Sequence, residues 1–94
     1  MYLMALFTFI MEFRGGTYVS QVNAASLAVA IIEWSKNLQV DEIQYLGPTG
    51  KAEIIGMAKE ADPALLKGLT NVWFESFSIK QGVARVNIVK TATS

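Results

Sequence analysis

The chain has 94 residues, of which 52% are hydrophobic and 17% are charged, enough for one domain (1–94) with a small core. Eight basic residues balance eight acidic ones, and the basic residues are dispersed, so no positive surface for nucleic acid is indicated. The sequence contains no Cys and no His, which excludes disulfides, thiolate nucleophiles and the side chain best suited to proton transfer near neutral pH. We therefore expect a non-enzymatic protein without cofactor or metal.

The first 13 residues are strongly apolar, as in a signal peptide or a buried strand. A strand is favoured because no basic residue precedes the apolar run, Glu12 and Arg14 interrupt it, and it is too short to cross a bilayer. We expect a cytoplasmic protein without membrane contact. Met4 is a second candidate start, which would make residues 1–3 a dispensable extension.

The doublet Gly15-Gly16 predicts a tight turn between two strands, because glycine readily adopts positive φ angles. Pairing across this doublet sets Phe13 opposite Tyr18 and places an apolar set on one face of the hairpin. By the same pairing Met11 lies opposite Ser20, and Phe9 lies opposite Val22. The other face is mixed and consists of Thr8, Ile10, Glu12, Arg14, Thr17, Val19 and Gln21.

Helical spacing begins after Val22, where Leu27, Ile31, Trp34 and Leu38 recur on one stripe. This spacing predicts a helix over 24–38. Ser26 or Asn23 is the candidate N-cap, since their side chains can accept hydrogen bonds from the first free backbone N–H groups.

The middle of the chain carries weaker signals. Residues 40–46 fit either a short edge strand or a loop, and Gly47-Pro48 ends that segment. Thr49 is a candidate N-cap for a helix over 50–60, despite an interior Gly56. Asp62-Pro63 followed by Gly68 predicts one short helical turn over 63–67.

A second hairpin is predicted from 71–80 and 83–91, with its turn at Gln81-Gly82. The favoured register pairs residue 79 with 84, 77 with 86, 75 with 88 and 73 with 90. A shift by one residue would mix apolar and polar faces. Glu75 is then the one carboxylate on the apolar face, at a sheet margin or paired with a Lys, and is the charge of greatest interest.

The predicted fold is α+β: a four-stranded, mainly antiparallel sheet from two hairpins, in ββααββ order, with two helices packed on one face. The helix-covered face carries six large apolar side chains: Phe7, Phe9, Met11, Trp73, Phe77 and Val86.

The opposite, outer sheet face is the candidate interaction surface, because it is more apolar than the exposed surface of most small monomers. Its apolar members are Leu6, Ile10, Val19, Val72, Phe74, Val83 and Val89, and its polar members are Ser76, Ser78, Arg85 and Asn87. We expect a homodimer through this face, or contact with another protein. Alternatively, Tyr2-Leu3 or residues 92–94 cover the face within one chain.

Three other functions stay open on the sequence alone. A small-ligand protein would have a pocket between sheet and helices, lined by Trp34, Trp73, Tyr45 or Met57. An RNA-binding protein would use Phe74 and Arg85 to stack and hold single-stranded bases, although the neutral charge favours no nucleic-acid partner. A minor candidate is anion binding at residues 47–51, which precede a predicted helix.

The order of hairpin and amphipathic helix over Phe7 to Leu38 resembles the partial fold of HicB-type antitoxins. The resemblance covers about the first 38 residues, rests on a generic element and assigns no role to any residue. It implies an antitoxin-like protein as a further alternative.

Overall fold

The structure, a computed structural model, describes residues 4–93. It is an α+β fold in which two helices lie against one face of an antiparallel sheet. The elements are β1 (Ala5–Phe13), β2 (Gly16–Ala24), α1 (Leu27–Lys36), α2 (Gly47–Ala58), β3 (Ala64–Leu65), β4 (Val72–Ile79) and β5 (Gly82–Thr93). The strand order in the sheet is β2-β1-β5-β4-β3.

The four-stranded sheet predicted in ββααββ order is corrected to five strands. The two hairpins are present, and they join through antiparallel pairing of β1 with β5, the first and last strands of the chain. The fifth strand is the two-residue β3, which pairs with β4. It replaces the helical turn predicted over 63–67.

The turn of the first hairpin lies at Arg14-Gly15, one residue earlier than predicted. Both residues have positive φ, 48° and 87°, as a two-residue type I′ turn requires. Phe13 therefore pairs with Gly16, and Met11 pairs with Tyr18 rather than Ser20. The partner changes by two positions, so each side chain stays on its predicted face.

The second hairpin departs from the predicted register in the same way. Its turn is Lys80-Gln81, Ile79 pairs with Gly82, and Phe77 pairs with Ala84 instead of Val86. The faces are again those expected from the sequence, because the displacement is an even number of residues.

Helix α1 begins after Ser26, whose Oγ accepts a hydrogen bond from the N–H of Val29 at 3.2 Å. Of the two candidate caps, Ser26 is therefore the N-cap, and the helix is shorter than the predicted span of 24–38. The segment from 38 to 46 consists of turns and irregular backbone, which resolves the choice between strand and loop in favour of the loop.

Helix α2 begins at Gly47, three residues before its predicted start, and ends at Ala58. Thr49 is not the N-cap, because the cap position is Leu46, which makes no side-chain capping bond. Pro48 lies in the first turn, where its lack of an N–H group costs no hydrogen bond.

The core lies between the helices and one face of the sheet. Phe9 and Trp34 stack with ring centroids 5.1 Å apart, and the ring centroid of Phe77 lies 5.7 Å from that of Trp34. Phe7, Met11 and Val86 are also buried, whereas Trp73 is half-buried against Phe7. The predicted division of side chains between the two sheet faces is therefore present in the structure.

Candidate interaction surfaces

The outer face of the sheet carries a mainly apolar strip that runs across the strands and is interrupted by Asn87. Strand pairing sets Val19 beside Ile10, Ile10 beside Asn87, and Asn87 beside Phe74, and Ala64 continues this row on β3. Val19 is 63% exposed, whereas Ile10, Asn87 and Phe74 are half-buried. Neither helix lies on this face, because the helices pack against the buried side chains of the opposite one.

A charged row borders this strip on one side. Glu12 on β1 is directly paired with Arg85 on β5, and Arg85 is paired with Ser76 on β4. The side chains of Glu12, Arg85 and Ser76 are exposed. Glu12 and Arg85 make no ion pair with another described residue, so both charges are available to a second molecule.

The row on the other side combines hydroxyl groups with aliphatic side chains. Thr8 is paired with Val89, and Val89 is paired with Val72. The Thr8 hydroxyl accepts a hydrogen bond from Gln21 Nε2 at 3.0 Å and contacts the hydroxyl of Thr91. This network fixes the polar end of the surface.

All nine side chains predicted for the interaction surface lie on this face of the sheet. The strip and its two flanking rows bring together Ile10, Val19, Val72, Phe74, Ser76, Arg85, Asn87 and Val89. Ser78 lies apart from the strip, beside Val83 near the second turn, and is exposed.

Of the carboxyl-terminal residues that the structure describes, Ala92 and Thr93 do not cover the outer face. Ala92 pairs with Leu6, and Thr93 pairs with Ala5, so both extend β5 along the sheet. Ser94, the other candidate cover Tyr2-Leu3, and the proposed extension 1–3 lie outside the described residues.

A second candidate surface lies at the free edge of β2 and was not expected from the sequence. A cleft of about 260 Å³ opens between β2 and the segment that follows α1, with Met11 and Trp34 at its inner wall. The backbone N–H of Gln44 donates to the Tyr18 hydroxyl at 3.2 Å, which ties this segment to β2. The signal available in the sequence was an uncharged, proline-free strand over 16–24.

The four side chains proposed to line one ligand pocket do not converge. These side chains border three different clefts. Trp34 borders the cleft beside β2, Trp73 borders a second cleft near Ala25, and Met57 borders a third cleft near Phe77. Tyr45 is 60% exposed and stacks under the Arg14 guanidinium, 4.3 Å from its ring centroid.

Glu75 lies on the helix-side face, as predicted, and holds a loop in place. Its Oε2 accepts a hydrogen bond from the N–H of Asp62, and its Oε1 accepts one from the N–H of Ser76, both at 3.0 Å. Glu60, Asp62 and Glu75 border one cleft, yet no described group of acidic residues has the arrangement of a metal site. The contacts of Glu75 explain its position structurally.

The segment 47–51 offers few free donors for an anion. Pro48 has no N–H group, and the Gly50 N–H already donates to the Leu46 carbonyl at 3.2 Å. Gly50 is buried against Leu46 and Ile79. These contacts account for the sequence Gly-Pro-Thr-Gly as the packed start of α2.

No family model, curated protein or solved structure matches this chain. Within residues 4–93, neither helix has the length and apolar character needed to span a membrane.

Proposed function

We propose that this protein is a small, non-enzymatic interaction module that forms a homodimer through the outer face of its sheet. The observation that carries the proposal is the uncovered strip of Val19, Ile10, Asn87 and Phe74, which crosses the sheet from edge to edge. Both helices lie on the other face. Burial of such a strip against a second copy removes apolar surface from water.

The size of the face fits a modest interface. Four strands spaced about 4.8 Å apart, each presenting about eight residues at a rise of about 3.3 Å, give a planar footprint of about 500 Å² per copy. The accessible surface of the side chains exceeds this footprint, and standard interfaces bury about 800 Å² per partner. The face is therefore large enough for a specific interface between two copies.

Charge complementarity favours one arrangement of the two copies. A two-fold axis that lies between β1 and β5 and parallel to the strands places Glu12 of each copy opposite Arg85 of the other copy. The same axis sets Val19 against Phe74 at both ends of the strip. An axis perpendicular to the strands instead places Arg85 against Val89, which desolvates a charge without a partner.

The carboxylates give little support to an enzymatic function. Glu12 and Glu75 are on opposite faces of the sheet, so they do not form the pair that acid and base catalysis would use. Phe74 is the one aromatic side chain on the outer face among the described strand residues, whereas sheets that bind single-stranded RNA stack two or three bases. Protein contact is the function that the surface supports best.

Sedimentation equilibrium of the wild type and of two lysine variants tests the proposal. We expect a concentration-dependent dimer for the wild type and a monomer for Phe74→Lys, because the added charge would be buried in the interface. Val29→Lys adds the same charge to α1, where Val29 is 45% exposed, and should leave the dimer intact. A monomeric wild type at millimolar concentration would remove the proposed function.

A further inference from the structure

Strand β2 presents free backbone groups along its outer edge. Phe13 and Gly16 flank the two-residue turn, so they form a hydrogen-bonded pair, and such pairs recur at every second residue. Gly16, Tyr18 and Ser20 therefore bond to β1, and the N–H and C=O groups of Thr17, Val19 and Gln21 point away from the sheet. No described residue hydrogen bonds to the backbone of these three.

The features that normally protect a sheet edge are missing from β2. Residues 16–24 contain no charged side chain and no proline, and the pairing with β1 runs without a bulge. The opposite edge differs, since the short β3 covers part of β4. Long, regular and uncharged edges are templates for another strand.

The cleft beside this edge has the size and lining of a pocket for one side chain. Its volume of about 260 Å³ lies below the range of roughly 300–1,000 Å³ that drug-sized ligands occupy. Leu38 and Ile43 supply apolar walls, and Glu42 is the one charged side chain among the lining residues. The bond from Gln44 to Tyr18 holds this wall at the strand.

We propose that the β2 edge and this cleft bind an extended peptide as an added antiparallel strand, with one long basic side chain in the cleft. The backbone of the peptide would pair with Thr17, Val19 and Gln21, as in other complexes formed by strand addition. The aliphatic stem of a Lys or Arg would pack against Leu38 and Ile43 while its cation reaches Glu42. This site shares Val19 with the outer-face strip, but it uses the backbone of Val19 rather than its side chain and does not depend on dimerisation.

Fluorescence anisotropy with a labelled, end-blocked peptide Thr-Val-Thr-Arg-Thr-Val-Thr tests the proposal. In an antiparallel pair, side chains of bonded residues share a face, so the threonines flanking Arg would turn their N–H groups toward β2. We expect saturable binding that is lost when these two threonines are N-methylated. N-methylation of the Arg, whose N–H points away from β2, should preserve binding.

Protein variants test the two halves of the site separately. Val19→Pro removes an N–H group that bonds to no described residue, so the hairpin should remain folded while peptide binding is lost. Glu42→Gln should lower the affinity for the Arg peptide about two- to five-fold. It should not change the affinity for the same peptide with norleucine in place of Arg. Glu33→Gln on α1 is the matched control.

Four results would overturn the proposal. The first three are an absence of saturable binding at millimolar peptide, equal affinity for all N-methylated forms, and unchanged affinity in folded Val19→Pro. A fourth is that Val19→Pro, and not Phe74→Lys, abolishes dimerisation, which would show that β2 pairs with β2 of a second copy. Failure of peptide binding leaves the outer-face dimer unaffected, so the two proposals fail independently.

Discussion

The indole of Trp34 on α1 lies flat against the ring of Phe9 on β1, with centroids 5.1 Å apart and an angle of 6° between the planes. Both side chains are almost fully buried. This stack fixes the face of the sheet that α1 covers. The alternate residues of β1, among them Ile10, must then face the other way.

Truncation at this stack should separate the stability of the fold from that of the dimer. We expect Trp34→Ala to lower the free energy of unfolding by about 3–5 kcal/mol, because it removes a buried aromatic side chain and leaves a cavity. Phe74→Ala on the outer face should lower the free energy of unfolding of the monomer by less than Trp34→Ala does, and it should weaken the dimer. Chemical denaturation at low protein concentration measures the first effect, and sedimentation measures the second. If Trp34→Ala and Phe74→Ala lowered the stability of the monomer equally, the assignment of Trp34 to the buried face and of Phe74 to the outer face would be contradicted.

The charged row provides a test of the two-fold arrangement. Glu12→Arg and Arg85→Glu should each weaken the homodimer, because each places like charges opposite one another across the interface. Mixing the two variants should produce a heterodimer, since both cross-interface contacts are then of opposite charge. Native mass spectrometry of the mixture detects it.

A control pair with the same charge changes tests whether this effect is local. Glu33→Arg and Lys36→Glu change exposed side chains on α1, outside the outer face, and should show no preference for the heterodimer. A statistical mixture from the Glu12 and Arg85 variants would contradict the proposed axis while leaving dimerisation in place.

Replacing either of two glycines of α2 with alanine should change the stability of the protein, in opposite directions. A Cβ at Gly56 would meet no atom within 4 Å, so Gly56→Ala should stabilise the protein by about 0.5–1 kcal/mol through helix propensity. A Cβ at Gly50 would lie 2.9 Å from Cδ1 of the fully buried Leu46 and 3.3 Å from that of Ile79. Gly50→Ala should therefore be less stable than the wild type. Thermal unfolding ranks the three proteins, and a Gly50→Ala melting temperature above that of Gly56→Ala would contradict this packing.

Glu75 should stabilise the loop that connects α2 to β3. Replacing it with Ala removes the acceptor of the Asp62 N–H, and we expect a loss of about 1 kcal/mol with faster hydrogen exchange at that amide. The side chain of the exposed Glu60 makes no hydrogen bond or ion pair with another described residue, so Glu60→Ala is the control. Unchanged exchange at Asp62 in Glu75→Ala would show that the hydrogen bond contributes nothing to the loop.

The sequence predicted the sorting of strand side chains better than it predicted the turns. Period-two alternation is a local pattern, and it survives a register change of two residues. The first turn was misplaced because glycine was taken as the only source of positive φ. Arg14 instead adopts φ 48° in the first turn, where its guanidinium donates to the Gln81 carbonyl at 3.2 Å and lies over the Tyr45 ring. The second turn, Lys80-Gln81, has no positive φ at either residue, so the expectation of a glycine in the turn misplaced it as well.

Other features depend on contacts between distant parts of the chain. The pairing of β1 with β5 joins residues about eighty positions apart, and no local pattern specifies it. Strand β3 forms because Ala64 pairs with Phe74 and Leu65 pairs with Trp73. The cleft at β2 likewise depends on the position of the segment after α1. The outer-face residues were predictable because they required only the alternation within each strand.

We propose that the outer face, and no other surface, is buried when two copies of the chain meet. Backbone amide spectra recorded on dilution from millimolar to micromolar protein test this proposal. We predict concentration-dependent shifts centred on Ile10, Phe74 and Asn87, with the amides of Ala30 and Ile54 unchanged. Spectra that do not change with concentration, or changes confined to α1 and α2, would contradict the claim.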